Sequence, residues 1–375
     1  MLNRDEFSSN SRWLVAQSVE ILAPLQRAAA RLVVRRPPSA PSTWRRGLIL
    51  GSYHIGDLLW RTHGLAPLAK GLPTCEWFCL TSPGTAEILD GNPALTAVLP
   101  YYSNSNWRLP LTHLSRLRGM QFDVALCSNR YRYEQELALA LSVGIPNRVS
   151  YVHKGLRALV THPIVVEQRL PFPAYFREFV AQLTGCTAVW PLRPVIFPTA
   201  AHRQRSGQFL AAAGFAPEKR LAVLVNTAVT SLNVLPDWLF VALARELSDR
   251  HGFAVLLAGG PGDRDYLQAC ASKAGGPIRV CAGDLSLLEL AALLERAQVA
   301  VAPDSGPRHL ANAAGTPVVF FPPLDRQHPV ETGPYLDTEL AVAEGVLARE
   351  RAKLDAATRT AELVATVVRH AARKP

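Results

Sequence analysis

Residues 299–335, VAVAPDSGPRHLANAAGTPVVFFPPLDRQHPVETGPY, read as strand, loop, helix, strand. Val299 to Ala302 is a short apolar run that Pro303 ends. Asp304-Ser305-Gly306-Pro307 then offers an acid, an N-cap hydroxyl, a flexible glycine and a proline suited to a first helical turn. The helix predicted over 308–314 is rich in small residues, Gly315 caps it, and Thr316 to Phe321 returns as a second buried strand. Small residues let such a helix lie close to a sheet, with its N-terminus at the carboxyl end of the preceding strand. Free amides and the helix dipole there favour an anion, above all a diphosphate, held near Ser305, Gly306 and His309. Asp304 is placed for ribose hydroxyls or a sugar. A bare Asp-Ser-Gly fits an ordinary βαβ cap equally well, so the rest of the chain has to decide.

The chain has 375 residues, room for two cores, with 49% hydrophobic and 19% charged residues and no apolar run long enough to span a bilayer. Forty Lys and Arg against thirty Asp and Glu leave a net charge of +10, which implies anionic company. No nucleic-acid module or zinc spacing is visible, so nucleic acid is not an expected partner. Cys75, Cys79, Cys127, Cys186, Cys270 and Cys281 form no CxxC and pair with no histidine, which predicts reduced core thiols, no metal and a cytoplasmic setting.

Residues 1–45 stand apart. Between Trp13 and Arg36, Leu14, Ile21, Leu25 and Leu32 recur at helical spacing while Arg27, Arg31 and Arg35 stack four apart, and Pro24 kinks or divides the helix. Without a cleavage site this is no signal peptide. The segment 13–36 fits peripheral contact with an anionic membrane surface, and equally a helix packed on its own protein or on a partner. Arg35 to Ser42 reads as a linker.

The first domain, 46–189, opens with the strand Gly47 to Leu50 and a glycine-punctuated turn, Gly51-Ser52-Tyr53-His54-Ile55-Gly56-Asp57, which brings backbone and a carboxylate to the ligand edge of a parallel sheet. Asp57 is either chemistry or a first-turn helix charge. Strands at 74–80, 97–100 and 122–127, with helices at 83–90 and 134–143, continue a βα alternation. Arg130 and Arg132 follow the third of these strands, at the same edge, as acceptor-phosphate contacts or as solvated surface. Proline-rich residues 190–200 link to a second domain, 201–350. There the strand 221–226 leads into the loop Asn226 to Asn233, which holds Thr227, Thr230 and Ser231, and the strand 253–258 leads into Gly259-Gly260-Pro261-Gly262-Asp263. The loop 281–286 carries Leu285. A final helix over 351–375 is placed to cross back to the first domain.

Taken together, Asp-Ser-Gly-Pro-x-His-Leu, Gly-Thr-Pro-Val-Val and Gly-Pro-Tyr resemble the C-terminal signature of glycosyltransferase family 9, the ADP-heptose lipopolysaccharide heptosyltransferases. Ile55-Gly56-Asp57 resembles that family's first motif, whose Asp is the proposed catalytic base. The resemblance implies an α/β protein of GT-B type, two Rossmann-like doubly wound domains facing a central cleft. It implies inverting transfer, with Asp57 as base and Asp304, Ser305, Gly306, His309, Thr227, Thr230, Ser231, Asn233, Asp263 and Leu285 on the donor. The implied acceptor is the lipopolysaccharide inner core, an anionic glycolipid met at the cytoplasmic membrane face, and no cofactor or metal is implied. Two positions depart from the pattern. Asn233 stands where relatives carry a diphosphate-binding Lys, which leaves hydroxyls or an arginine such as Arg308 to replace it. Arg61-Thr62-His63-Gly64-Leu65 stands where Thr-Leu-Pro-Ala-Leu is common, which puts Arg61 and His63 on the acceptor side.

Two rivals follow from the same residues. A dinucleotide enzyme would need G-x-G-x-x-G after a strand, which is absent. A silent sugar-nucleotide-binding relative, or a transferase for another nucleotide sugar or acceptor, accommodates Asn233.

Overall fold

The computed structural model describes residues 20–51, 54–101, 109–228, 234–322, 329–342 and 356–374. The chain divides into two units, residues 1–191 and 192–375. Each is a parallel sheet covered by helices, and the strands are near-continuous apolar runs because both faces of such a sheet are buried.

In the first unit the elements run α1 Ala23–Val33, β1 Arg46–Leu50, α2 Ile55–Leu59, α3 Leu65–Gly71, β2 Glu76–Leu80, α4 Pro83–Ala86, β3 Ala97–Leu99, α5 Leu111–Gly119, β4 Val124–Cys127, α6 Tyr133–Val143, β5 Asn147–Tyr151, β6 His162–Ile164 and α7 Phe172–Thr184. The strand order is β3-β2-β1-β4-β5-β6. Leu48, Ile49 and Leu50 of β1 pair with Phe78, Cys79 and Leu80 of β2, and Leu48 and Ile49 pair with Ala125 and Leu126 of β4. Gly144 ends α6 at φ 84°, the left-handed conformation that a glycine enters without cost.

In the second unit α8 Ala200–Ala212, β7 Leu221–Leu224, α9 Asp237–Asp249, β8 Ala254–Gly259, α10 Arg264–Ala274, β9 Arg279–Ala282, α11 Leu287–Leu294, β10 Val299–Pro303, α12 Gly306–Ala314, β11 Val318–Phe321, α13 Pro329–Thr332, β12 Glu339–Ala341 and α14 Ala356–Ala371 follow in turn. The strand order is β12-β11-β10-β7-β8-β9. Gly315, at φ 74°, ends α12, and Arg193 donates from Nη2 to Ala313 O at 3.2 Å, setting a cation at that helix's C-terminus.

One detail differs from the sequence expectation. Ser305 occupies the N-cap position of α12, but its hydroxyl donates backward to Pro303 O at 3.3 Å and caps no amide. Pro24 marks the expected division: residues 20–21 are helical, Leu22 is a turn, and α1 begins anew at Ala23. The proline sits in the first turn, where its missing N–H costs nothing. Helix α14 packs within the second unit, where Leu363, Val364, Val367 and Ala371 join the core beside Leu239, Leu243, Val301 and Val319. The cysteines match expectation as core residues, five buried and Cys186 half-buried. Burial pushes the thiols of Cys75 and Cys79 up to about 12 and leaves them inert.

Candidate active site

A doubly wound sheet opens a crevice where its strand order reverses, at the carboxyl ends of the two strands that flank the reversal. In the second unit the chain goes from β7 outward to β8 and β9, then returns to β10 beside β7 and continues to β11 and β12. The switch point lies between β7 and β10. The two loops leaving those strands are the ones that carry Thr227 and Asp304-Ser305-Gly306.

Asp304 extends the sheet by one bond, its N–H donating to Phe321 O at 3.0 Å, so the chain turns into α12 from a fixed start. Asp304, Ser305 and Gly306 are half-buried and keep access to solvent. The first amides of α12 have no intrahelical acceptor by position, which makes this turn a seat for an anion.

One arginine holds the turn in place. Arg308, 1% exposed, donates from Nη1 to Asp304 Oδ1 at 2.7 Å and to Thr332 O at 2.8 Å, from Nε to Glu339 Oε1 at 2.6 Å, and from Nη2 to Gly333 O at 2.7 Å. Its guanidinium also lies 3.5 Å from the centroid of the Phe320 ring. Burial works against its proton, but the Glu339 and Asp304 charges more than reverse that. Four of its five N–H donors are engaged in this way, so Arg308 holds the turn from the interior. Glu339 and Asn312, absent from the sequence-level site, complete the network: Asn312 Nδ2 donates to Glu339 Oε1 and to Tyr335 Oη, each at 2.7 Å, and Tyr335 N–H donates to Glu339 Oε2 at 2.7 Å. His309 Nδ1 meets Tyr335 Oη at 2.7 Å, and burial with the nearby Arg308 holds the imidazole neutral.

Across the switch point, Asn226 is buried and clamps its loop. Its Oδ1 accepts from Leu235 N at 2.8 Å while Nδ2 donates to Leu235 O at 3.0 Å and to Tyr266 Oη at 2.9 Å. Both ends of the loop are thereby tied, and Thr227 is half-buried at its start. Thr230, Ser231 and Asn233 lie outside the described residues. Asp263 caps its own glycine turn, accepting from Gly260 N at 2.8 Å. Gly283, at φ 74°, presses on Pro261, and half-buried Leu285 follows it.

The first unit repeats the arrangement with the switch point between β1 and β4. Asp57 sits half-buried in the first turn of α2, after β1. Arg130 and Arg132 follow β4, where Asn129 Oδ1 accepts from Tyr131 N and Arg132 N at 3.1 Å and Asn129 N donates to Glu136 Oε2 at 2.9 Å. The groups feel one another: burial lowers the proton affinity of His54, the Asp57 charge opposes this, and Arg132 adds to it. Burial pushes the Glu136 carboxyl up to about 8, against the pull of Arg61. Arg130 is buried with its guanidinium 4.2 Å from the Tyr175 ring centroid, and it lines a cavity of about 600 Å³ with Tyr151, His153, Arg157 and Ile164.

Arg61 and His63 lie deeper than an acceptor contact would. Arg61 is 2% exposed and donates to Leu50 O at 3.1 Å. His63 Nε2 meets Pro173 O at 3.0 Å and Nδ1 accepts from Trp190 Nε1 at 2.9 Å, so the ring ties α7 and the linker to the unit's interior. Burial lowers its pKa to about 4, so the folded protein holds it neutral. His63→Ala is expected to cost about 2 kcal/mol at pH 7.5 by orphaning two buried partners. The unfolded chain takes up a proton below about 6.5 that the folded one refuses until about 4, so wild-type stability falls with acid across that window. The difference between wild type and variant therefore narrows from pH 7.5 to pH 5, read by urea unfolding; a gap that widens with acid contradicts the assignment.

Two six-stranded parallel sheets, each with polar loops at its switch point, are the architecture of the GT-B fold. Residues 196–355 match the family model for glycosyltransferase family 9 (heptosyltransferase). The lipopolysaccharide core heptosyltransferase OpsX of Haemophilus influenzae is 23% identical over 305 residues, covering 77% of this chain and 82% of that one. A glycosyltransferase family 9 structure from Veillonella parvula superposes with a TM-score of 0.74 at 17% identity, covering 89% of this chain and 98% of that one. The E. coli heptosyltransferase WaaC with ADP gives 0.63 at 17%, covering 87% and 99%. Over residues 196–355 the chain is thus similar to glycosyltransferase family 9.

Proposed function

We propose that this protein is an inverting heptosyltransferase that moves heptose from ADP-heptose to a hydroxyl of the lipopolysaccharide inner core. The observation that carries the reading is the convergence of chemistry on the two switch points: a carboxylate with cationic neighbours in the first unit, and a helix N-terminus beside Asp304 in the second. The relatives support the substrate class, since OpsX acts on lipopolysaccharide core and the WaaC structure contains ADP. In the reaction the Asp57 carboxylate takes the proton of the acceptor hydroxyl while that oxygen bonds to the anomeric carbon. The bond from that carbon to the diphosphate oxygen breaks, and ADP leaves with the electron pair. Ser305, Gly306 and the positive end of α12 stabilise the departing charge. Arg132, half-buried at the same edge, serves an anionic acceptor, while the buried Arg130 lines the cavity beside it. Such an acceptor is anchored in a membrane, so the reading includes peripheral contact with the inner face of the cytoplasmic membrane.

Thermal-shift measurement with ADP-, UDP-, GDP- and dTDP-sugars tests the donor. ADP-heptose and ADP are expected to raise the melting temperature. A response to UDP- or GDP-sugars with none to ADP refutes the heptose assignment and favours the second reading that Asn233 suggests, a transferase of this fold for another nucleotide sugar.

A further inference from the structure

Helix α1 is mounted with its faces reversed. It packs on the turn Arg157–Leu159 and on α6, and the half-buried residues on that side are Glu20, Ala23, Gln26, Ala30 and Val34, mostly small or polar. Glu20 Oε1 accepts from Arg157 N at 3.0 Å, which pins the start of the segment. The apolar face looks outward instead: Ile21, Leu25 and Leu32, spaced four and seven apart, are 78%, 67% and 85% exposed. A helix that served only to cover the first unit would turn this face inward.

The charges beside it say what covers it. Arg27 and Arg31 are exposed along one flank, Arg35 is exposed just beyond the helix end, and residues 21–36 include no acidic side chain. A second copy of the chain would bring the same arginines against these, a repulsive pairing. An anionic lipid surface satisfies both features at once, taking the leucines at the acyl boundary and the guanidinium groups among phosphates. At 11 residues α1 is too short to cross a bilayer, and among the described residues no helix is long and apolar enough to do so.

We propose that the outward face of α1, Ile21, Leu25 and Leu32 flanked by Arg27, Arg31 and Arg35, docks the protein in-plane on an anionic membrane. This deepens the peripheral-membrane part of the functional reading, but it stands on α1 alone and is tested without turnover.

The test is co-sedimentation of the full chain with vesicles of phosphatidylcholine containing phosphatidylglycerol, against vesicles of phosphatidylcholine alone. Wild type is expected to bind the anionic vesicles and release in high salt. The triple variant Ile21→Ser, Leu25→Ser, Leu32→Ser should bind at least about tenfold more weakly. Each Arg→Gln substitution at 27, 31 or 35 should cost about fivefold. These side chains are exposed, so melting temperature and ADP affinity by calorimetry should stay at wild-type values and show that the protein is intact. Equal vesicle binding by wild type and the triple variant overturns the proposal. So does a wild-type dimer in sedimentation that the same serines dissociate while no vesicle binding is seen. Lost ADP binding in wild type would instead count against the donor assignment and leave the docking result readable.

Discussion

Asp57→Asn is expected to fold, to bind ADP with unchanged affinity and to transfer sugar at least about a hundredfold more slowly. The amide keeps the shape of the carboxylate and can no longer accept a proton, so the loss falls on the chemical step. The structural side effects are small. Asp57 lies in the first turn of α2, where losing a negative charge costs about 0.5 kcal/mol of helix-dipole interaction. His54, whose proton affinity Asp57 supports, becomes still harder to protonate, and it is already biased toward neutrality by burial. Donor binding is assigned by the proposed function to the second unit, 192–375, and should not respond. Single-turnover rates with saturating donor, alongside ADP calorimetry, separate the two effects. Turnover within threefold of wild type would remove Asp57 from the chemistry, and lost ADP affinity would show that the carboxylate matters to assembly instead.

How much of this was legible in the sequence depends on where side chains spend themselves. The β10–α12–β11 unit was readable nearly to the residue because its strands are continuous apolar runs and Pro307 and Gly315 mark the ends of the helix. Helix α8 was not read: of its residues only Ser206 and Leu210 are buried, so no apolar stripe announces it. Helix α5, with Leu117 alone buried, escaped for the same reason. Strands β6 and β12 are three-residue edges, and β6 contains Pro163, which only an edge tolerates. The site shows the same division. Asp304, Ser305 and Asp57 sit in local motifs and could be named from them. Glu339 and Asn312 act on Arg308 and Tyr335 across stretches of chain that carry no shared pattern, so only the fold brings them together. Arg61 and His63 were read as acceptor contacts because they stand where the family pattern has Thr-Leu-Pro-Ala-Leu, yet the turn after α2 buries both.

The Arg308 network makes the largest stability prediction. Arg308→Met replaces the guanidinium with an apolar group of similar reach and leaves the Glu339 carboxylate, 0% exposed at its side chain, and the Asp304 carboxylate, 12% exposed, without their cation. Glu339 retains the N–H groups of Asn312 and Tyr335, but these do not balance a full buried charge. Removing one member of such a pair costs about 3–5 kcal/mol, more than the pair itself contributes relative to neutral packing. A second substitution decides whether the cost is the orphaned charge. In Arg308→Met/Glu339→Gln the carboxylate is gone while an amide can still accept from Asn312, so stability should recover by about 1 kcal/mol or more, a coupling that a double-mutant cycle isolates. Donor binding should not recover with it. Arg308 also fixes Asp304 and, through Thr332 O and Gly333 O, the segment 332–333, so the turn that opens α12 stays loose in both variants and ADP affinity should remain about tenfold down. Urea unfolding and calorimetry on the three proteins read the two effects separately. An Arg308→Met protein within 0.5 kcal/mol of wild type would mean that the buried charges relax into solvent. A double variant that regained ADP affinity would mean that Glu339, and not the arginine fork, sets the anion seat.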